Sequence, residues 1–203
     1  MNRHFLDVSS DMNITAADIA CFSETRFTEK DLLPTTALNG YHQYRQDSKR
    51  VSQNNRPFHG LAVYSSSEFQ QHLDLSCYNV EAALFKVCAL PDIVFLSIYK
   101  PPSVGIKDLC KALSSIHTKH LHAQTAVVLG DFNVDWMSSS TDKITLQKLL
   151  VHELGYKQVI DGPTTDYGST LDLVFIKDTS TKPIFSGIRE VYYSDHKMVW
   201  LGW

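Results

Sequence analysis

Only four of the 203 residues are cysteine, at positions 21, 77, 88 and 110. No two stand at the spacing of a zinc site or a redox dithiol, which argues against a disulfide scaffold. Cys21 and Cys88 fall in apolar runs and are expected as buried, reduced thiols. No segment is long and apolar enough to cross a bilayer, and the opening residues lack the apolar centre of a secretory signal. An intracellular, reducing compartment without membrane contact follows as the expectation. A basic excess is also missing, since the formal net charge is −3. That disfavours tight non-specific DNA binding, which depends on many phosphate contacts. It leaves a nuclease open, because a metal site gathers acidic residues. The local basic group Arg45, Lys49, Arg50 and Arg56 reads as a solvated polar loop. Internal repeats, low-complexity tracts and linkers are absent as well, so residues 1–203 read as one domain.

What is present is a series of short apolar runs, expected as strands near 18–23, 60–66, 81–88, 93–99, 125–130, 171–176, 184–191 and 197–203. Helical spacing joins Ile106, Leu109, Cys110, Leu113, Ile116 and Leu121, with Ser103 as the expected cap. A second helix is expected from Ile144 to Leu154, stopping at Gly155. Weaker helical patterns cover Phe5–Ile14 and Glu29–Leu33. The turn Leu90-Pro91-Asp92 is short enough to join antiparallel neighbours, which predicts mixed sheets. Runs apolar throughout, such as Ile93-Val94-Phe95-Leu96, predict strands buried on both faces. Two packed mixed β-sheets covered outside by helices, an α-β-β-α sandwich of the α/β class, satisfy these patterns.

Five places bring acidic or hydrogen-bonding residues to the end of an apolar run. Val127-Val128-Leu129 gives way to Gly130-Asp131-Phe132-Asn133, and alternation along an extended backbone points the carboxylate of Asp131 and the carboxamide of Asn133 the same way. The same four residues also suit a polar turn. Glu24 follows another apolar run, where it is either a metal ligand or the first exposed residue. Tyr99 precedes a proline corner and is either functional or core. Asp172 stands inside an apolar run, a costly place for an unpaired charge, and His196 is an evident partner for it. Asp195 and His196 precede the last run, as site residues or as a turn cap and a surface histidine.

Taken in order, Ser-Glu-Thr at 23–25, Ile-Tyr-Lys-Pro-Pro-Ser at 98–103, Gly-Asp-Phe-Asn at 130–133, Thr-Leu-Asp-Leu-Val-Phe at 170–175 and Ser-Asp-His at 194–196 resemble the endonuclease/exonuclease/phosphatase superfamily. Gly-Leu-Ala-Val-Tyr at 60–64 looks like another of its strands. The wording is most similar to the apurinic-like endonuclease domain of LINE-type retrotransposons, including Gly-Pro-Thr at 162–164. The resemblance runs from about residue 5 to the end, with one departure. Family members open with a strand bearing an asparagine near the metal. This chain opens inside what reads as the next helix, and neither Asn2 nor Asn13 fits that place. The resemblance therefore implies an N-terminally truncated sandwich, a poorly soluble chain and a weak nuclease at best.

It also implies roles. Glu24 would hold Mg²⁺ or Mn²⁺, with Asp195 sharing in it, and Asp131 would orient or deprotonate the attacking water. Asn133 would hold the phosphate or that water, and Asp172 would orient His196, which donates to phosphoryl oxygens. Tyr99 and Thr170 would contact the phosphate through their hydroxyls. Three functions compete: a Mg²⁺-dependent DNA-nicking endonuclease of retrotransposon origin, a superfamily phosphatase acting on another phosphoester, and a non-catalytic remnant or binding module. DNA is the implied substrate and the nucleus an implied site of action. No reverse transcriptase follows Trp203, so retrotransposition would need one as a partner.

Overall fold

The computed structural model describes residues 4–48, 50–51, 57–122, 124–177 and 185–202. A six-stranded mixed sheet forms its centre, built from β6 (Phe69–Asp74), β7 (Glu81–Val87), β8 (Ile93–Tyr99), β9 (Thr125–Asp131), β10 (Lys157–Gln158) and β11 (Asp172–Lys177) in the order β10-β11-β9-β8-β7-β6. Only β8 and β9 run parallel among its described pairs. The crossover between them is α4 (Ile106–Ile116), as a parallel pair requires.

Alternation along the strands separates two apolar layers. On one face Leu84, Leu96, Ile98, Val128, Leu173 and Phe175 pack on Leu109, Leu113, Leu146 and Leu150 from α4, α5 (Thr141–Gln147) and the π-helical turn that follows α5. On the other face Phe85, Phe95, Val127, Val174 and Ile176 meet a second layer of strands. That layer contains β1 (Ile19–Phe22), β5 (Leu61–Ser65) and β2 (His42–Gln46), paired in that order, and the hairpin of β12 (Phe185–Arg189) with β13 (Met198–Gly202). Its outer face is covered by Val8 and Ile14 from α1 (Phe5–Ser10) and α2 (Met12–Thr15), which pack with Ala20, Phe22, Ala62, Tyr64 and Met198. Helix, sheet, sheet and helix thus follow one another as the apolar patterning predicts. The remaining short elements are α3 (Leu33–Thr36) and the pair β3 (Arg50–Val51) with β4 (Pro57–Phe58).

Several expectations need correction. Helix α4 begins after Gly105 without a side-chain cap, not at Ser103, because Lys100 Nζ donates to the Pro101 and Val104 carbonyls and holds that corner as a loop. Helix α5 starts earlier than Ile144, since the Ser140 hydroxyl accepts the Lys143 N–H and caps it. Asp11 caps α2 through the Asn13 N–H and so divides the N-terminal helix in two. Of the segment Glu29–Leu33 only Leu33 is helical; Asp31 closes a turn on Thr28, and the helix starts at Leu33 with Pro34 in its first turn. Cys88 is exposed, one residue past the end of β7. Arg45 is no solvated loop residue: its guanidinium lies over Phe27, pairs with Asp47 at 2.7 Å, and donates to Thr28 and Asp31 carbonyls. Lys49 and Arg56 lie outside the described residues, as does the Arg50 side chain.

Gly130 shows how tightly β8 and β9 approach. Its φ is +135°, and an added Cβ would fall 1.9 Å from the Ile98 carbonyl oxygen. Gly130→Ala should therefore lower unfolding free energy by more than the ~1–3 kcal/mol of a strained backbone alone. Denaturant unfolding checks this, and a variant as stable as the parent would contradict it.

Candidate active site

Register across the six-stranded sheet brings the chemistry together. Glu81 on β7 stands opposite Tyr99 on β8, Tyr99 beside Asp131 on β9, and Asp131 opposite Asp172 on β11. Residues in one rung point to the same face, here the face toward the second layer of strands. This rung closes the sheet at its edge, beyond the apolar rows of Phe85, Phe95, Val127 and Val174.

The second layer supplies Glu24, two residues past β1, with φ +50°. Its carboxylate accepts the Tyr99 hydroxyl and pairs with Arg26 at 3.3 Å. The loop is stitched to the start of β5, where Thr25 N–H donates to Gly60 O (3.1 Å) and Arg26 N–H to His59 O (2.9 Å). Gly60 N–H in turn donates to Glu81 at 2.8 Å, which links the loop back to the rung. Glu24, Arg26, His59 and Asn133 all have left-handed backbone conformations. Such conformations are costly for side-chain-bearing residues and persist where surrounding bonds hold them.

Asp131 is 4% exposed. One carboxylate oxygen accepts the Asn133 backbone N–H (2.9 Å) and the other accepts the Asn133 side-chain amide (3.1 Å). The Asn133 amide also donates to the Lys100 carbonyl at 3.0 Å. Asp131 and Asn133 therefore meet through a turn, with Asn133 at φ +45°, and not as alternate residues of one extended strand. Burial, reinforced by the neighbouring Asp172 charge, pushes the Asp131 carboxyl up to about 7.

Asp172 and His196 are joined by the Gly-Pro-Thr-Thr loop. The Thr164 hydroxyl accepts the N–H groups of Leu171 and Asp172, and its carbonyl accepts the Lys197 N–H at 2.8 Å. Thr165 bridges to His196. With both backbones fixed, His196 Nδ1 lies 2.9 Å from Asp172 Oδ2. That bond raises the imidazole to about 9 against the opposing effect of burial.

The remaining expected site residues are placed differently. Thr170 is fully buried, and its hydroxyl donates to the Gly162 carbonyl at 2.7 Å, so it braces the loop. Tyr99 gives its hydroxyl to Glu24 and is 2% exposed, which makes it a holder of Glu24. Asp195 is exposed beside His196, and its carbonyl accepts the Asp166 N–H at 3.0 Å. Glu81 and His59, whose ring lies 5.5 Å from that of Tyr99, were not anticipated. A charge opening the apolar run Ala82-Ala83-Leu84-Phe85 was the available signal for Glu81.

No three His, Cys, Asp or Glu side chains gather into a metal cage among the described residues. Mg²⁺, however, is commonly held by one or two carboxylates and keeps several waters. The donors here are hard oxygens without thiolate competitors, and the Asp131 carboxyl, raised first by burial and then by the Asp172 and Glu24 charges, stands among carboxylates whose charge a cation would offset. Oxygen donors of this kind suit a hard divalent ion, for which Glu24 and Asp195 are the carboxylates the sequence offers.

The sequence model described as "Endonuclease/Exonuclease/phosphatase family" matches residues 3–196. Among solved structures, the endonuclease domain of TRAS1, a telomere-specific non-LTR retrotransposon, is 19% identical, with 96% of this chain and 89% of that chain covered and a TM-score of 0.68. The 3′-5′ exonuclease NExo from Neisseria meningitidis is 17% identical over 99% and 94% of the two chains, with a TM-score of 0.73. An AP endonuclease from Archaeoglobus fulgidus is 17% identical over 98% and 93%, with a TM-score of 0.75. At these identities the likeness concerns the fold. No curated protein sequence matches the chain.

The Asp172–His196 bond generates a pH prediction. An unfolded imidazole titrates near 6.5, and the folded one near 9. Its stabilisation is fully present below about pH 6.5 and is lost as pH rises through about 9. Asp172→Asn should return the imidazole toward 6.5 and flatten that part of the stability profile. Imidazole NMR titration checks the shift, and an unchanged value would detach His196 from Asp172.

Proposed function

The chain belongs to the Endonuclease/Exonuclease/phosphatase family, and from that premise we propose that it is a divalent-metal-dependent endonuclease that nicks DNA and leaves an extendable 3′ end, of retrotransposon origin. The observation that carries this reading is the single rung on which Asp131 stands between Tyr99 and Asp172, with His196 bonded behind it. Asp131, poised near neutrality, takes the proton of the attacking water, a task matched to its raised pKa. Asn133 fixes the carboxylate by two bonds and keeps its own carbonyl oxygen for the water or the substrate. His196 carries a proton across the neutral range and donates to a non-bridging phosphoryl oxygen, while Asp172 holds the ring. Tyr99 and Arg26 orient Glu24. A divalent ion bound there supplies charge stabilisation for the phosphoryl oxygens and the leaving oxygen.

The Ile-Tyr-Lys-Pro-Pro-Ser and Gly-Pro-Thr segments support a retroelement nuclease over a phosphatase. DNA would then be the substrate, the nucleus a place of action, and a reverse transcriptase of the same element a partner that uses the nick.

The test is conversion of supercoiled plasmid to open circles. Mg²⁺ should support nicking and EDTA should abolish it, with the nick extended by a polymerase. Asp131→Asn and His196→Ala should each lower the rate about a hundred- to a thousand-fold, the usual loss for one positioned group. Hydrolysis of small phosphoesters without nicking would instead favour the phosphatase. A binding module would show neither activity.

A further inference from the structure

The pairing of β9 with β11 ends at Asp131 and Asp172. Just past it the Phe132 N–H still donates to the Leu171 carbonyl at 3.0 Å, and then the left-handed turn at Asn133 carries the chain away. Thr170, next along on the side of β11, is fully buried. A buried backbone N–H and C=O must find partners, and the ladder no longer supplies them.

Residues 135 and 136 supply them instead. Asp135 Oδ1 accepts the Thr170 N–H at 3.0 Å, and the Trp136 N–H donates to the Thr170 carbonyl at 2.9 Å. The same Asp135 oxygen accepts the Met137 N–H at 3.1 Å, and the Asp135 carbonyl accepts the Ser138 hydroxyl at 2.8 Å, so the carboxylate is fixed within its own turn. The Trp136 ring stands edge-on to Phe175 of β11, with 5.4 Å between centroids, and anchors the turn to the same strand. Asp135 thus takes the place of the backbone carbonyl that a continued ladder would have offered. A carboxylate is the stronger acceptor of the two.

Spacing gives this bond its consequence. Asp135 follows Asn133 by two residues, and Thr170 precedes Asp172 by two. The bond therefore joins the segment carrying Asp131 and Asn133 to the one carrying Asp172, which meets His196 at 2.9 Å. Thr164 holds the Leu171 and Asp172 N–H groups as the second support. We propose that Asp135 is a positioning residue of the active site, which through Thr170 sets where Asp172, and with it His196, stands relative to Asp131. Its effect on rate rests on the nuclease reading above; its effect on geometry rests on the hydrogen bond alone.

The test compares Asp135→Ala and Asp135→Asn in the full chain with Leu113→Ala, a truncation in the helix-side core that lowers stability away from the rung. Asparagine keeps an oxygen for the Thr170 N–H, and alanine does not. Asp135→Ala should lower kcat for plasmid nicking about ten- to a hundred-fold with KM little changed, the pattern of a displaced group that acts in the transition state. Asp135→Asn should stay within about threefold of the parent, since a neutral acceptor still makes the bond. Two NMR readouts need no activity. The Thr170 amide should exchange at least about tenfold faster in Asp135→Ala than in Asp135→Asn, as local opening becomes easier. The His196 Nδ1 proton shared with Asp172 should broaden in Asp135→Ala alone. The proposal is overturned if Asp135→Ala keeps both signals, if it slows nicking no more than Leu113→Ala does, or if Asp135→Asn is as impaired as the alanine variant. A parent chain that does not nick defeats the nuclease reading, and the two NMR signals then decide the role of Asp135 by themselves.

Discussion

The parallel pairing of β8 with β9 decides where the chemistry sits. Two parallel strands end on the same side of a sheet, so Tyr99 and Asp131 emerge together, each at the last position of its strand. The approach is close enough that Gly130 has no room for a side chain against Ile98. β11 is antiparallel to β9 and begins where β9 ends, which makes Asp172 its first residue and the neighbour of Asp131. Shifting either register by one residue would turn these groups to the helix-packed face.

Everything else at the site positions charge around that rung. Glu81, through Gly60 and Thr25, fixes the loop of Glu24 across the gap between the two layers. Thr164 fixes the start of β11 and the His196 loop with one side chain and one carbonyl. The consequence is electrostatic. Asp172 and Glu24 add negative charge around the buried Asp131, and His196, held by Asp172, brings a cationic group to the rung. With Asp131 pushed to about 7 and the imidazole to about 9, the carboxyl stands at the midpoint of its titration at neutral pH while the imidazole keeps its proton, a pairing that acid–base hydrolysis can use.

The sandwich was legible in the sequence because its central strands are continuous apolar runs: residues 93–99 and 125–130 could hardly be anything else. Strands at the margins were not, since His42–Gln46 and Phe69–Asp74 mix polar and apolar residues without strict alternation. At the site, Asp172 was readable as a charge inside an apolar run, with His196 as its natural partner. The direction of Thr170 was not, because only the folded loop offers it the Gly162 carbonyl. Nor was the route by which Asn133 reaches Asp131, a left-handed turn that residue identity permits but does not announce. Long-range bonds such as Glu81 to Gly60 leave no periodic trace in a sequence.

Burial and the neighbouring carboxylates together raise Asp131, and the relief that a cation would bring is measurable at that group. Carboxyl-carbon NMR should follow the Asp131 titration in the full chain, first without divalent ions and then with saturating Mg²⁺. The account predicts a pKa near 7 without the ion and a clear fall when Mg²⁺ is present. An Asp131 that titrates in the ordinary carboxylate range without metal, or that does not respond to Mg²⁺, would contradict it.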